Sequence, residues 1–221
     1  MKNIIIFGSG DHAKVIFSEI INNKKYKFLG FVDDYKSKKT IIKYKNKNYL
    51  NLGKIKDNIK IIKNSCGIIG IGDNYIRYKV YNKINNLYKN FIWETVISKT
   101  AKIHENVVIG TGTAIMPNVT INFGSKIGKH CLINTSSSLD HDNWFKDFSS
   151  SGPGVVAGGG VIVGRQTHVG LGVIIQNNCK IGSNTIIGSN SFINKNCEDN
   201  LVYYGSPVKK IRKRLKGDKY L

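Results

Sequence analysis

Acidic residues are scarce in this chain: 14 Asp and Glu stand against 34 Lys and Arg among 221 residues, for a formal charge of +20. The imbalance points to anionic partners. It does not by itself point to nucleic acid, because the lysines arrive with a general excess of Asn and Ile and no nucleic-acid module signature accompanies them. The lysine- and aromatic-bearing stretches Asn23–Phe28 and Lys43–Tyr49 read as solvated loops. Cysteine is also sparse. Cys66, Cys131, Cys179 and Cys197 lie far apart without CxxC spacing, which excludes a disulfide framework or a zinc cluster and leaves small buried thiols. Long apolar runs are missing: none approaches the ~20 residues that span a bilayer, and the opening Met1–Phe7 reaches Gly8 too early for a signal peptide's apolar core. The expectation is a globular, cytoplasmic protein that does not insert into membranes.

What is present divides into two patterns. Residues 1–95 alternate strand and helix signals: an apolar strand Asn3–Phe7, a turn Gly8-Ser9-Gly10, a helix Ala13–Asn22, a strand Phe28–Val32 ending in Asp33-Asp34, and a strand Gly67–Ile71 ending in Gly72-Asp73-Asn74. A further helix is expected over Tyr75–Tyr88. This order predicts a small, mainly parallel, Rossmann-like α/β sheet.

From Ile103 onward the period is six. Stepping by six from Ile103 reaches Ile109, Ile115 and so on to Ile193, and Ser151 is the one polar residue in the series. Gly or Asn often follows these anchors, as at Gly110, Asn122 and Gly164, where permissive torsions are expected for turning a corner. Six residues advance an α-helix by about 600°, so no helix face explains the series. A left-handed parallel β-helix does: three hexapeptides make a coil, and residue n lies under residue n+18. The predicted β-helix spans 96–203. The basic tail 204–221, with Val208–Lys216 expected to be helical, would cap its open end.

Sorted by this register, His104, His130, His141 and His168 share no column, and His12 lies in the other domain, which disfavours a three-histidine zinc site. His141 is flanked by Asp140 and Asp142 at an outward corner, where a carboxylate can orient an imidazole for general-base work. Gly159, inside Gly158-Gly159-Gly160, lies one coil above it and could offer its N–H to an oxyanion. A polar corner residue with acidic neighbours is the plain alternative.

Three stretches carry a family resemblance: Ile6-Phe7-Gly8-Ser9-Gly10-Asp11-His12-Ala13, Asn134 to Asp142, and Gly205-Ser206-Pro207-Val208-Lys209. Together they resemble the bacterial sugar O/N-acyltransferases of the sialic acid O-acetyltransferase and bacillosamine-pathway type. The resemblance implies a homotrimer with acetyl-CoA lying between β-helices. It places the catalytic base at His141, its acidic partner at Asp142, Asn134 near the reacting amine, and Gly159 at the acetyl carbonyl. Gly158, Gly160, Pro207 and Lys209 are implied to line the acetyl-CoA site. Gly8, Gly10, His12, Asp33, Asp34, Gly72 and Asn74 are implied to hold a nucleotide-linked sugar, and no metal is implied. Two positions depart from the family pattern: Ser150 stands where some relatives have a histidine, and Asp11 where glycine is common.

The activity so implied is N-acetylation of a UDP-, dTDP- or GDP-linked 4-amino-4,6-dideoxy sugar for surface glycan synthesis, with O-acetylation of a sialic-acid-type sugar as the alternative. Two other readings compete. Gly8-x-Gly10-x-x-Ala13 with Asp33 fits a loose dinucleotide fingerprint, which would make the chain an NAD-dependent redox protein. A non-catalytic sugar-nucleotide-binding protein would leave the His141–Asp142 pair without a task.

Overall fold

A computed structural model of the chain describes residues 1–36, 39–215 and 217–220. The chain divides into two compact units, Met1–Gly72 with Ile76–Val96, and Asp73–Tyr75 with Ile97–Leu221.

In the first unit, β1 (Lys2–Phe7), β2 (Tyr26–Val32), β3 (Lys39–Tyr44), β4 (Lys47–Asn51) and β5 (Cys66–Ile69) form one sheet in the order β3-β4-β2-β1-β5. β1 pairs parallel with β2 and β5, and it is buried from Ile4 to Phe7, as an inner strand of a parallel sheet must be. Helix α1 (Asp11–Ile21) buries Ala13, Ile16, Phe17 and Ile20, the spacing of one helical face. A short helix α2 (Ile59–Lys63) precedes β5, and α3 (Asn74–Leu87) follows it.

The hairpin β3–β4 corrects the loop expected at Lys43–Tyr49, and β2 takes in Tyr26–Phe28 of the other expected loop. Both stretches read as polar because an edge hairpin keeps its lysines in water. Its Tyr49 ring packs at 4.7 Å from that of Phe17, which gives the hairpin a buried side.

The second unit is a three-sided parallel β-helix. After β6 (Val96–Ile97), a two-residue strand recurs every six residues from β7 (Lys102–Ile103) to β22 (Phe192–Ile193), and each anchor is the second residue of its strand. The ladder stacks at n+18, as in Ile121 on Leu139 and Phe145 on Val163. Anchors from Ile115 to Ile193 are buried. Ser151 fits among them because its Oγ accepts the Asn134 N–H at 3.0 Å and meets Ser137 Oγ at 3.0 Å.

The torsional reading of the corners needs correction. The left-handed residue lies three past the anchor, as at Gly124, Asp142, Gly160 and Asn178. The glycine one past the anchor answers a different constraint: a Cβ at Gly110 or Gly128 would meet the backbone of the next coil at 2.6 Å and 2.5 Å. At these two glycines coil spacing, and not a positive φ, leaves no room for a Cβ.

The tail is also corrected. After β23 (Leu201–Tyr204), residues Lys209–Lys213 form β24, antiparallel to β23, in place of the helix expected over Val208–Lys216. β23 is the outer parallel rung of its side, and its open hydrogen-bonding edge is satisfied by a strand. Lys216 lies outside the described residues. Among the described residues no helix is long and apolar enough to cross a membrane.

Candidate active site

Two residues past the buried anchor Leu139, the chain rounds a corner at which His141 and Asp142 face solvent, with side chains 58% and 65% exposed. Asp142 has φ 56°, a torsion Asp tolerates better than most residues, and this turns its carboxylate back along the corner. Gly124, one coil below, makes room for it: a Cβ there would overlap Asp142 Oδ1. Asp142 Oδ2 lies 2.9 Å from His141 Nδ1. In the neutral imidazole, Nδ1–H donates to the carboxylate and Nε2 keeps its lone pair. On the other flank Asp140 Oδ1 accepts the His141 backbone N–H at 2.9 Å and an Asn122 amide N–H at 3.1 Å. The Asp142 hydrogen bond, with help from the charge on Asp140, holds the imidazole above its ordinary pKa.

Directly beyond Nε2 stands Gly159. A Cβ on Gly159 would overlap the Nε2 and Cε1 atoms, so the imidazole can lie against this backbone because the residue is glycine. Its neighbours spend their amides on the ladder: Gly158 N–H donates to Ile175 O and Gly160 N–H to His141 O, each at 2.9 Å. The N–H two past an anchor is often taken by an adjacent side chain, as Asn134 Oδ1 takes Thr135 N–H and Asp140 takes that of His141. Gly158 has no side chain to do this. Among the described residues the Gly159 N–H has no acceptor.

The other residues expected at this site are not gathered around His141. Asn134 lies at the preceding corner of the same coil, with its Oδ1 accepting the Thr135 N–H at 2.8 Å. Pro207 and Lys209 belong to the β23–β24 connection and β24, where exposed Lys209 pairs with Tyr204. Ser150 is buried and bonded to His168 Nδ1 at 2.8 Å. His130 stacks on Phe148 with ring centroids 5.1 Å apart. Among the described residues no three His, Cys, Asp or Glu are placed to hold a metal ion.

In the first unit, the parallel pairing of Phe7 with Val32 brings the turn after β1 beside the acids after β2. The result is a cleft of about 310 Å³ lined by Gly8, Gly10, His12, Asp33, Asp34 and Gly72, among others. Gly8 takes φ +96°, which favours glycine, and Gly10 begins α1, whose N-terminal amides can serve an anion. Asp11, which stands where glycine is common among relatives, also lines the cleft, and its carboxylate is 99% exposed and paired with Lys14 Nζ at 2.9 Å, which keeps its pKa low. His12 is pushed down to about 4 by burial and by the Arg77 guanidinium, so it is neutral near pH 7.

The two acids are partly occupied. Asp33 Oδ2 accepts both Ser9 N–H (3.0 Å) and Ser9 O–H (2.8 Å), fixing the glycine turn. Asp34 is opposed by burial, but Lys83 at 2.6 Å and the Ile55 N–H at 2.9 Å hold its carboxyl low. Ser9, Tyr35 and Lys36, none of them picked out from sequence as site residues, also line the cleft, and Lys36 Nζ reaches Ser9 O at 3.2 Å. Only the β1–β2 register reveals them. Asn74 does not line the cleft. It is buried in the second unit, its side-chain amide donating to Thr167 O at 3.0 Å and its backbone N–H to Tyr220 Oη at 2.6 Å.

Comparison with known proteins agrees with both halves. Residues 3–84 match the family model of the PglD N-terminal domain. Over 96% of this chain and 98% of the other, the structure is similar to a histidine-to-asparagine variant of perosamine N-acetyltransferase from Caulobacter crescentus, solved with CoA and GDP-perosamine, at 25% identity and TM-score 0.86. The acetyltransferase domain of PglB from Neisseria gonorrhoeae, in complex with acetyl coenzyme A, shares the fold at 20% identity and TM-score 0.83 over 95% of this chain and 99% of that one. WeeI from Acinetobacter baumannii shares it at 20% identity and TM-score 0.78 over 96% and 100%.

Proposed function

We propose that this acyltransferase, a left-handed β-helix protein with a PglD-type N-terminal domain, moves the acetyl group of acetyl-CoA onto the amine of a nucleotide-linked 4-amino-4,6-dideoxy sugar. The observation that carries the proposal is the approach of His141 Nε2 to Gly159, so close that a Cβ there would overlap it, beside a Gly159 N–H that is unspent among the described residues. A thioester carbonyl placed there meets an amide donor on its oxygen, while the attacking amine meets a base.

In the proposed reaction the sugar nitrogen attacks the thioester carbon and His141 Nε2 takes the nitrogen's proton. Asp142 keeps the imidazole in the required tautomer through Nδ1 and stabilises the imidazolium. The Gly159 N–H supports the oxyanion. Collapse forms the amide, breaks the carbon–sulfur bond and returns the proton to the departing thiolate. Acetyl-CoA fits these residues because glycines at 158, 159 and 160 leave the backbone bare beside the base. Asn134 lies at another corner of the prism and meets the amine from a neighbouring subunit, which brings the homotrimer into the proposal.

The N-terminal cleft takes the nucleotide. The α1 N-terminus, Gly8 and Gly10 suit the phosphates, and Lys36 at the cleft edge supplies positive charge. Product chemistry tests the choice of acceptor: an N-acetyl product is an amide that survives mild alkali, and an O-acetyl product is an ester that does not. Release of acetate from the isolated product under mild alkali would overturn the amine assignment.

A further inference from the structure

Two residues before each anchor, a column of small side chains runs up the inside of the β-helix. Every sixth residue from Thr113 to Ser191 is Thr, Ser, Cys or Val, with one departure, Asn143. Thr113, Ser125 and Thr167 show how the hydroxyls of this column bond. Each donates to the carbonyl fifteen residues on and accepts the N–H eighteen residues on. Asn143, 1% exposed, follows only half of that pattern. Its Oδ1 accepts the Val161 N–H, eighteen residues on, at 2.9 Å, but its Nδ2 turns back to its own corner and donates to Asp140 O at 2.6 Å. Ser125 Oγ donates to the same carbonyl at 3.0 Å and accepts the Asn143 N–H at 3.1 Å. The carbonyl just before His141 is thus gripped from inside the prism, while the other end of the same amide holds the coil that carries Gly159, two residues from it. His141 and Asp142 are themselves exposed, so burial of their own side chains does not fix this corner.

We infer that Asn143 is a positioning residue for acetyl transfer, clamping the His141–Asp142 corner to the coil of Gly159; the inference rests on the acyl-transfer reading above. A buried amide bonded at both ends resists movement, since any shift leaves a polar group unsatisfied and out of reach of water. Placement matters at this point because an error of about 1 Å at a reacting group costs on the order of 10²-fold in rate. Asn143 touches neither substrate nor the reacting atoms in this scheme. It acts through the backbone of the corner.

The test is Asn143→Ser in the full chain, which gives the position the residue type of its column. A serine there can bond as Ser125 does, accepting the Val161 N–H and donating to the carbonyl of Gly158, so the ladder closes while the bond to Asp140 O is lost. The variant is expected to keep a cooperative thermal transition and a near wild-type KM for acetyl-CoA, with kcat lowered on the order of 10²-fold. Thr113→Ala is the reference. It removes a comparable pair of buried hydrogen bonds away from the corner, and should lower the unfolding temperature while leaving kcat as it is. A nuclear Overhauser contact between His141 Hε1 and Gly159 Hα reads the positioning without turnover: it is expected in the wild type and in Thr113→Ala, and weakened in Asn143→Ser. Wild-type kcat in a folded Asn143→Ser, or a contact as strong as that of the wild type, overturns the inference. An equal loss of kcat in Thr113→Ala, or loss of folding in both Asn143→Ser and Asn143→Cys, makes the asparagine one structural link among many and overturns it as well. If no acceptor is acetylated, the acyl-transfer reading fails by itself, and the Overhauser contact alone decides whether the clamp exists.

Discussion

Gly159 faces His141 across one coil of the β-helix so closely that a methyl group on the glycine would occupy the space in front of the imidazole Nε2. Gly159 has no positive φ, so alanine is tolerated by its backbone, and the clash falls on an exposed side chain that can swing away. Gly159→Ala should therefore unfold at the wild-type temperature while losing on the order of 10²-fold in kcat, the effect of misplacing a catalytic group. Matched melting curves and steady-state kinetics check this. An unstable variant, or a fully active one, contradicts it.

His141→Ala should lower kcat by roughly 10²- to 10⁴-fold with modest change in the KM for acetyl-CoA, because the base acts in the transition state. Asp142→Asn offers a finer test, since Asn tolerates the left-handed torsion at this position. Asp142 raises the His141 pKa, and the base must be unprotonated to act. Removing the carboxylate charge should shift the acidic limb of the pH–rate profile to lower pH and reduce the plateau. An unmoved limb would separate Asp142 from the imidazole's titration.

His12 provides a stability test. Its folded pKa is about 4 against an ordinary 6.5, so between these values the unfolded chain binds the extra proton. The linkage sign follows: the stability tied to neutral His12 is fully present above about pH 6.5 and is lost as pH falls toward 4. The loss is on the order of 3 kcal/mol. Urea unfolding of the wild type and His12→Gln at pH 7 and pH 4.5 should show a smaller pH dependence in the variant.

Ser151 interrupts an otherwise apolar ladder, and restoring the pattern should not help. Ser151→Val removes the acceptor for Asn134 N–H and the partner of Ser137 Oγ inside the core. Leaving these groups unsatisfied costs about 1–3 kcal/mol. A lower denaturation midpoint is expected, and a raised one would show that burial of the added methyls outweighs the lost bonds.

These residues also show where sequence was informative. The six-residue period is carried by side chains that must point inward, so the anchors from Ile103 to Ile193 and the stacking of Gly159 over His141 could be read directly. The hairpin at Lys39–Asn51 could not, because edge strands keep polar residues and its apolar contacts come from Phe17 and Phe28, far away in sequence. The tail strand was hidden for the same reason: five exposed residues from Lys209 to Lys213 carry no alternation, and their conformation is set by the open edge of β23. Asp33 and Asp34 were recognisable as cleft residues, but their bonds to Ser9 and Lys83 depend on tertiary pairing. Asn74, five residues past β5 and next to Gly72 and Asp73, reads in sequence as part of the same cleft, and only its tertiary bonds to Thr167 and Tyr220 place it elsewhere.

The most direct measurement is the initial rate of thiol release from acetyl-CoA by the full chain with UDP-, dTDP- and GDP-linked 4-amino-4,6-dideoxy sugars, with CMP-linked and free sialic acids alongside. The proposed function predicts turnover with at least one nucleotide-linked amino sugar, well above that with either sialic acid and dependent on His141. Thiol release with none of the amino sugars, or a rate unaltered in His141→Ala, would contradict it.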